Sequence, residues 1–135
     1  MVRRFTFALA ALALLGVSAC EKPAPQITIS SGGKVINVDA SRYCFDECRD
    51  HSAKLKTIRV KSNSTVTFDV PRRVAHAGWL VQLRDQAIFP EPRKESHYTL
   101  SIPAAAAVSL PVTVVEAGAD GAPTGVWKLQ FDIKD

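Results

Sequence analysis

The stretch Trp127-Lys128-Leu129-Gln130-Phe131-Asp132-Ile133 puts a large apolar residue at every second position and a polar one between. A helix cannot turn that period into one apolar face, because its side chains repeat every ~3.6 residues; a β-strand does so directly. The same alternation recurs along the chain. Ile27 and Ile29 run into Ser31-Gly32-Gly33, and Ile36 and Val38 follow. Ile58 and Val60 lead through Ser62-Asn63-Ser64 into Val66, Phe68 and Val70, the pattern of a hairpin. Trp79, Val81 and Leu83 continue it, as do Tyr98, Leu100 and Ile102, then Leu110, Val112 and Val114. A segment from Ala117 to Thr124, rich in glycine with one proline, joins the last two strands. About seven to nine short strands with turn signals between them predict an all-β fold, an antiparallel immunoglobulin-like β-sandwich. One exception is expected between Ser41 and Lys54. Charged residues crowd there, β-branched residues are absent, and Ser41 can cap a short helical segment.

The start of the chain has a different character. Met1-Val2-Arg3-Arg4 precedes an apolar run from Phe5 to Val17, which closes on Val17-Ser18-Ala19-Cys20. A positive n-region, a short apolar core and small residues at the cut describe a secretory signal peptide. Its ending resembles a bacterial lipobox, in which the cysteine thiol receives a diacylglyceryl group and becomes the new N-terminus. Residues 1–19 are then a lipoprotein signal peptide, residues 20–25 the lipidated Cys20 with a short tether, and residues 26–135 a single sandwich domain. Several acyl chains anchor stably where one does not, at ~0.8 kcal/mol per buried methylene. In the tether, Glu21-Lys22-Pro23-Ala24-Pro25, nothing is expected to pack, and its reach is at most ~20 Å. The expected location is the extracytoplasmic face of a cell membrane.

Charge and cysteine count narrow the choice further. The net charge is +4, and two of those charges belong to Arg3 and Arg4. The small balance left over does not predict nucleic-acid binding. No second apolar stretch approaches the ~18 residues of a membrane span. Three cysteines are an odd number for an exported protein; lipidation accounts for Cys20 and leaves Cys44 and Cys48 as a pair suited to an oxidising compartment. Four apart on a helical turn, their Cα atoms would lie ~6 Å from each other, within disulfide range. A redox-active pair fits poorly, since three residues intervene and the nearby Asp46, Glu47 and Asp50 would raise a thiol pKa. The alternative is a metal site. Cys44, Cys48 and His51 form C-x3-C-x2-H, similar to the dinuclear copper site of oxidase subunits, which also sits on a β-sandwich. That site has its histidine one residue further along and needs a methionine, and the one methionine here is Met1. Thiolate and imidazole suit copper or zinc, with His76 or His97 available if the fold brings them near.

Pro71-Arg72-Arg73-Val74-Ala75-His76-Ala77-Gly78-Trp79 reads as a loop. Arg72, Arg73 and His76 could meet an anionic partner, either lipid headgroups or an acidic envelope polymer. The favoured reading of the segment is a solvated connection into a central strand whose Trp79 fills the core. The proline-punctuated run from Phe89 to Glu95 has balanced charge and no functional reading. No G-x-S-x-G elbow, H-E-x-x-H pair or phosphate-cradling glycine loop is present, so a non-enzyme without a cofactor is expected.

Several short motifs group together: Cys20-Glu21-Lys22-Pro23, the early cysteine pair, Gly78-Trp79, His97-Tyr98-Thr99-Leu100, Val114-Val115-Glu116 and Gly125-Val126-Trp127. Together they resemble small actinobacterial lipoproteins grouped as a domain of unknown function. The resemblance implies an exported, lipid-anchored single domain with a disulfide, and brings no activity, ligand or catalytic residue. The expected role is non-catalytic binding or accessory work in the bacterial envelope. Its partners would be the membrane, through the anchor, and an envelope protein or polymer; the alternative is copper or zinc handling at Cys44, Cys48 and His51.

Overall fold

Strand β1 (Ile27–Ser31) turns into β2 (Lys34–Val38) through Gly32 and Gly33, whose φ angles are 55° and 78°. Two successive positive φ angles make the two-residue turn that matches strand twist, and glycine takes them without a Cβ clash. β1 pairs on its other side with β6 (Thr65–Asp69), and β6 with β9 (His97–Ser101), giving one sheet in the order β2-β1-β6-β9. The facing sheet holds β3 (Ala40–Cys44), β4 (Cys48–Asp50), β5 (Lys56–Lys61), β7 (Trp79–Leu83), β8 (Gln86–Ala87), β10 (Val108–Ala117) and β11 (Pro123–Lys134). Its order is β4-β3-β11-β10-β7-β8, with β5 also against β11. Every pairing is antiparallel except β5–β11. The computed structural model describes residues 22–104 and 107–135.

The fold is the antiparallel β-sandwich that the alternation predicts. Trp127, Leu129, Phe131 and Ile133 all point inward from β11 and are buried. Phe68 crosses from the other sheet, its ring 6.5 Å from Trp79 and 6.1 Å from Phe131. Burying side chains of this size contributes about 1.5–3 kcal/mol each. Among the described residues no helix is long and apolar enough to cross a membrane.

Three local expectations are corrected. The helical segment expected between Ser41 and Lys54 is instead a hairpin of β3 and β4. A bulge explains the difference: Gly125, Val126 and Trp127 face Tyr43, Arg42 and Ala40, which leaves Ser41 as the extra residue. Its hydroxyl donates to the Val126 carbonyl at 3.2 Å. Buried Ala40 and Tyr43 thus fall three apart, a helical spacing on an extended backbone. The charges crowd there because β4 is an exposed edge, where Arg42 faces Asp50 in register with 3.9 Å between them.

The hairpin expected around Ser62-Asn63-Ser64 is an arch between sheets, since β5 lies in one sheet and β6 in the other. Asn63 takes φ 56°, and the Ser62 N–H bonds the Lys134 carbonyl at 2.9 Å. Alternation looks the same on either sheet, so it could not separate the two topologies.

The segment read as a loop around Arg72 is the short helix α1 (Arg72–Ala77). Pro71 enters it extended at φ −60°, and Gly78 stops it at φ 98° while its N–H bonds the Val74 and Ala75 carbonyls. Val74 and Ala75 are buried against the core, leaving Arg72, Arg73 and His76 exposed. The run from Phe89 to Glu95 packs back onto the domain. Arg93 exchanges two backbone hydrogen bonds with Trp79, at 2.9 and 2.7 Å, and its guanidinium lies 4.9 Å over the Tyr98 ring.

Candidate functional site

Cys44 and Cys48 face each other across the β3–β4 ladder and are joined by a disulfide, their Cα atoms 3.9 Å apart. Strand pairing, not a helical turn, brings them together. The bond pins the turn Phe45-Asp46-Glu47, and α1 packs onto it. The Arg73 guanidinium lies 4.7 Å over the Phe45 ring, and its Nε donates to the Tyr43 hydroxyl at 3.1 Å. The Tyr43 and Phe45 rings meet edge-on at 4.8 Å. A cation over an aromatic face and a shared hydrogen bond hold helix and disulfide turn as one unit.

Beneath that unit lies a buried carboxylate. Glu116 follows Val112 and Val114 at the inward parity of β10 and is only 4% exposed. The Tyr43 hydroxyl donates to its Oε2 at 3.0 Å, and the Thr124 hydroxyl to its Oε1 at 2.8 Å. Each carboxylate oxygen therefore has a donor, as a buried charge requires. Gly125 leaves room for the arrangement: a Cβ there would come within 2.8 Å of Trp127 and 2.9 Å of Tyr43. Burial pushes the Tyr43 phenol above its ordinary value and the Glu116 charge adds to this, while the bond from Arg73 pulls the other way. A protonated phenol that donates to a carboxylate is a latch. It holds no free base or nucleophile.

Around the latch the surface is open. One depression runs from Lys22 past Phe45 and His51 to Arg73; another, over Glu116, is rimmed by Arg72, Arg73 and His76. The two disulfide sulfurs are consumed by their bond. His51 is exposed beside them, its N–H on the Ser41 carbonyl at 2.8 Å. His76 lies on α1 and His97 on β9 of the other sheet, so the fold does not gather the three histidines. Among the described residues no group of three or more His, Cys, Asp and Glu is placed to hold a metal.

Cys20 lies outside the described residues, but the tether after it does not behave as expected. The Trp127 indole N–H donates to the Pro25 carbonyl at 2.8 Å, and Ala24 packs against the core. Two of the five residues read as free tether are therefore part of the domain. The sequence reading also missed a basic groove at the opposite end, lined by Lys34, Arg59, Lys61 and Lys134. Arg59 and Lys134 there share Asp132, at 3.9 and 3.5 Å. Its residues come from three separate strands, and no local pattern announces it.

The family described as protein of unknown function (DUF2771) matches residues 20–131, from Cys20 through the disulfide turn and the latch into β11. The chain belongs to this family. No curated protein matches it. Among solved structures, fibronectin(III)-like modules of Clostridium thermocellum CbhA are similar at 11% identity and a TM-score of 0.45, over 62% of this chain and 92% of the module.

Proposed function

We propose that this DUF2771 protein is an exported lipoprotein of the actinobacterial type, anchored through Cys20 at the outer face of the cytoplasmic membrane. There it has a non-catalytic binding or accessory role in the envelope. The observation that carries this is Val17-Ser18-Ala19-Cys20 closing a basic and then apolar N-terminal run. Two others support it. The family match begins at residue 20, the N-terminus that lipoprotein processing would expose. The Cys44–Cys48 disulfide suits an oxidising compartment. The open depressions beside α1 and the disulfide turn suit contact with an envelope protein or polymer.

The test is Cys20→Ser in a bacterial host. Wild type is expected to enter the detergent phase after signal removal, and the variant to stay uncleaved or in the aqueous phase. A variant that still partitions like wild type after signal removal contradicts the anchor. The copper or zinc reading at Cys44, Cys48 and His51 needs both thiolates free, a state exclusive of the bridged one. Free thiols with one bound metal per purified chain would replace the accessory role with that reading.

A further inference from the structure

We infer that the lipidated protein stands with its disulfide end against the bilayer, with Lys22 and the Arg72 and Arg73 side chains of α1 on anionic phospholipid headgroups. This rests on lipidation at Cys20. The docked tether supplies the geometry. Ala24 is packed and the Pro25 carbonyl is held by Trp127, so only the four residues 20–23 separate the anchor point from the domain. Four residues reach at most about 14 Å even when fully extended. The point where they join the domain is not neutral ground. Lys22 lines the depression that also holds Phe45 and Arg73, so the anchor emerges beside the disulfide turn and α1. The opposite end, with the Gly32-Gly33 turn, the arch and Lys134, lies up to about 40 Å away along β11 at ~3.3 Å per residue. So short a leash at one end keeps that end near the headgroups.

Charge then chooses which side of this end makes contact. α1 carries no acidic residue in its first turn, and Arg72, Arg73 and His76 are exposed on it. Glu116, beneath them, is already satisfied by Tyr43 and Thr124. Asp46 and Glu47, on the disulfide turn, oppose an anionic surface. Attraction therefore comes from the helix side, and it acts within the ~8 Å screening length of physiological salt.

The experiment uses the lipidated full chain in phosphatidylcholine vesicles, with or without phosphatidylglycerol, containing a headgroup spin-labelled lipid. Tryptophan is placed at the disulfide turn by Phe45→Trp, or by Glu47→Trp if the first variant melts early. Val35→Trp places it on the exposed far end of β2; the native Trp79 and Trp127 are fully buried and give a common background. Intact mass confirms acylation first, so a missing acyl group counts against the anchor and not against the orientation. The expected result is severalfold stronger quenching at residue 45 or 47 than at residue 35. Equal or reversed quenching overturns the orientation. In phosphatidylglycerol vesicles, Arg72→Glu is expected to lower the quenching at the turn. So is raising salt from about 0.1 M to about 1 M, which shortens screening from about 10 Å to about 3 Å. Quenching that responds to neither overturns the headgroup contact.

Discussion

Tyr43 joins three parts of the molecule through one phenol: it donates to Glu116, accepts from Arg73 and sits edge-on to Phe45. Tyr43→Phe keeps the ring and leaves a buried carboxylate oxygen without its donor, so it should cost about 1–3 kcal/mol in denaturant unfolding. The pH dependence has a definite sign. Burial raises the folded-state phenol above its unfolded value of about 10. The stability it contributes is therefore complete below pH ~10 and is lost as pH rises through the folded value. Wild type should lose stability more steeply than Tyr43→Phe on the alkaline side; parallel alkaline limbs would contradict the latch. Part of this site is legible in the sequence. Glu116 continues the inward parity of Val112 and Val114, which marks a carboxylate aimed at the core. Its donors are not legible, because Thr124, Tyr43 and Arg73 come from separate elements that only tertiary packing brings together.

Among the elements, β11 and α1 behave oppositely under mutation. Trp127 fills the core of the strand with the clearest alternation and also holds the tether through its indole N–H. Trp127→Ala should cost about 3–5 kcal/mol in calorimetry or denaturant melts, through lost burial and a cavity. A loss below about 1 kcal/mol would mean that the site collapses freely and the strand is not central. On α1 the two arginines should separate. Arg72→Ala should stay within about 0.5 kcal/mol, as exposed changes usually do. Arg73→Ala should cost about 1–2 kcal/mol, having lost its hydrogen bond to Tyr43 and its place over Phe45. Equal effects would mean that α1 is not clamped to the disulfide turn. Long alternating strands such as β11 could be read directly, since burial on one face imposes a period of two. The β3–β4 hairpin could not, because one bulged residue, Ser41, converts that period into a helical spacing. α1 was hidden by its length: six residues between Pro71 and Gly78 carry too little periodicity to stand out from a loop.

At the scale of the whole molecule, the docked tether and the disulfide-bonded end support the proposal of a domain held close to a membrane. In the proposed orientation the groove of Lys34, Arg59, Lys61 and Lys134 would stand at the end farthest from the bilayer. Everything turns on the N-terminus. The most direct measurement is the intact mass of the protein extracted from its own membranes, with and without reduction, followed by sequencing of its first peptide. The account predicts a chain beginning at Cys20 with acyl mass on that residue, gaining ~2 Da on reduction as Cys44 and Cys48 take up two hydrogens. A chain retaining residues before Cys20, or starting there without acyl mass, would contradict it.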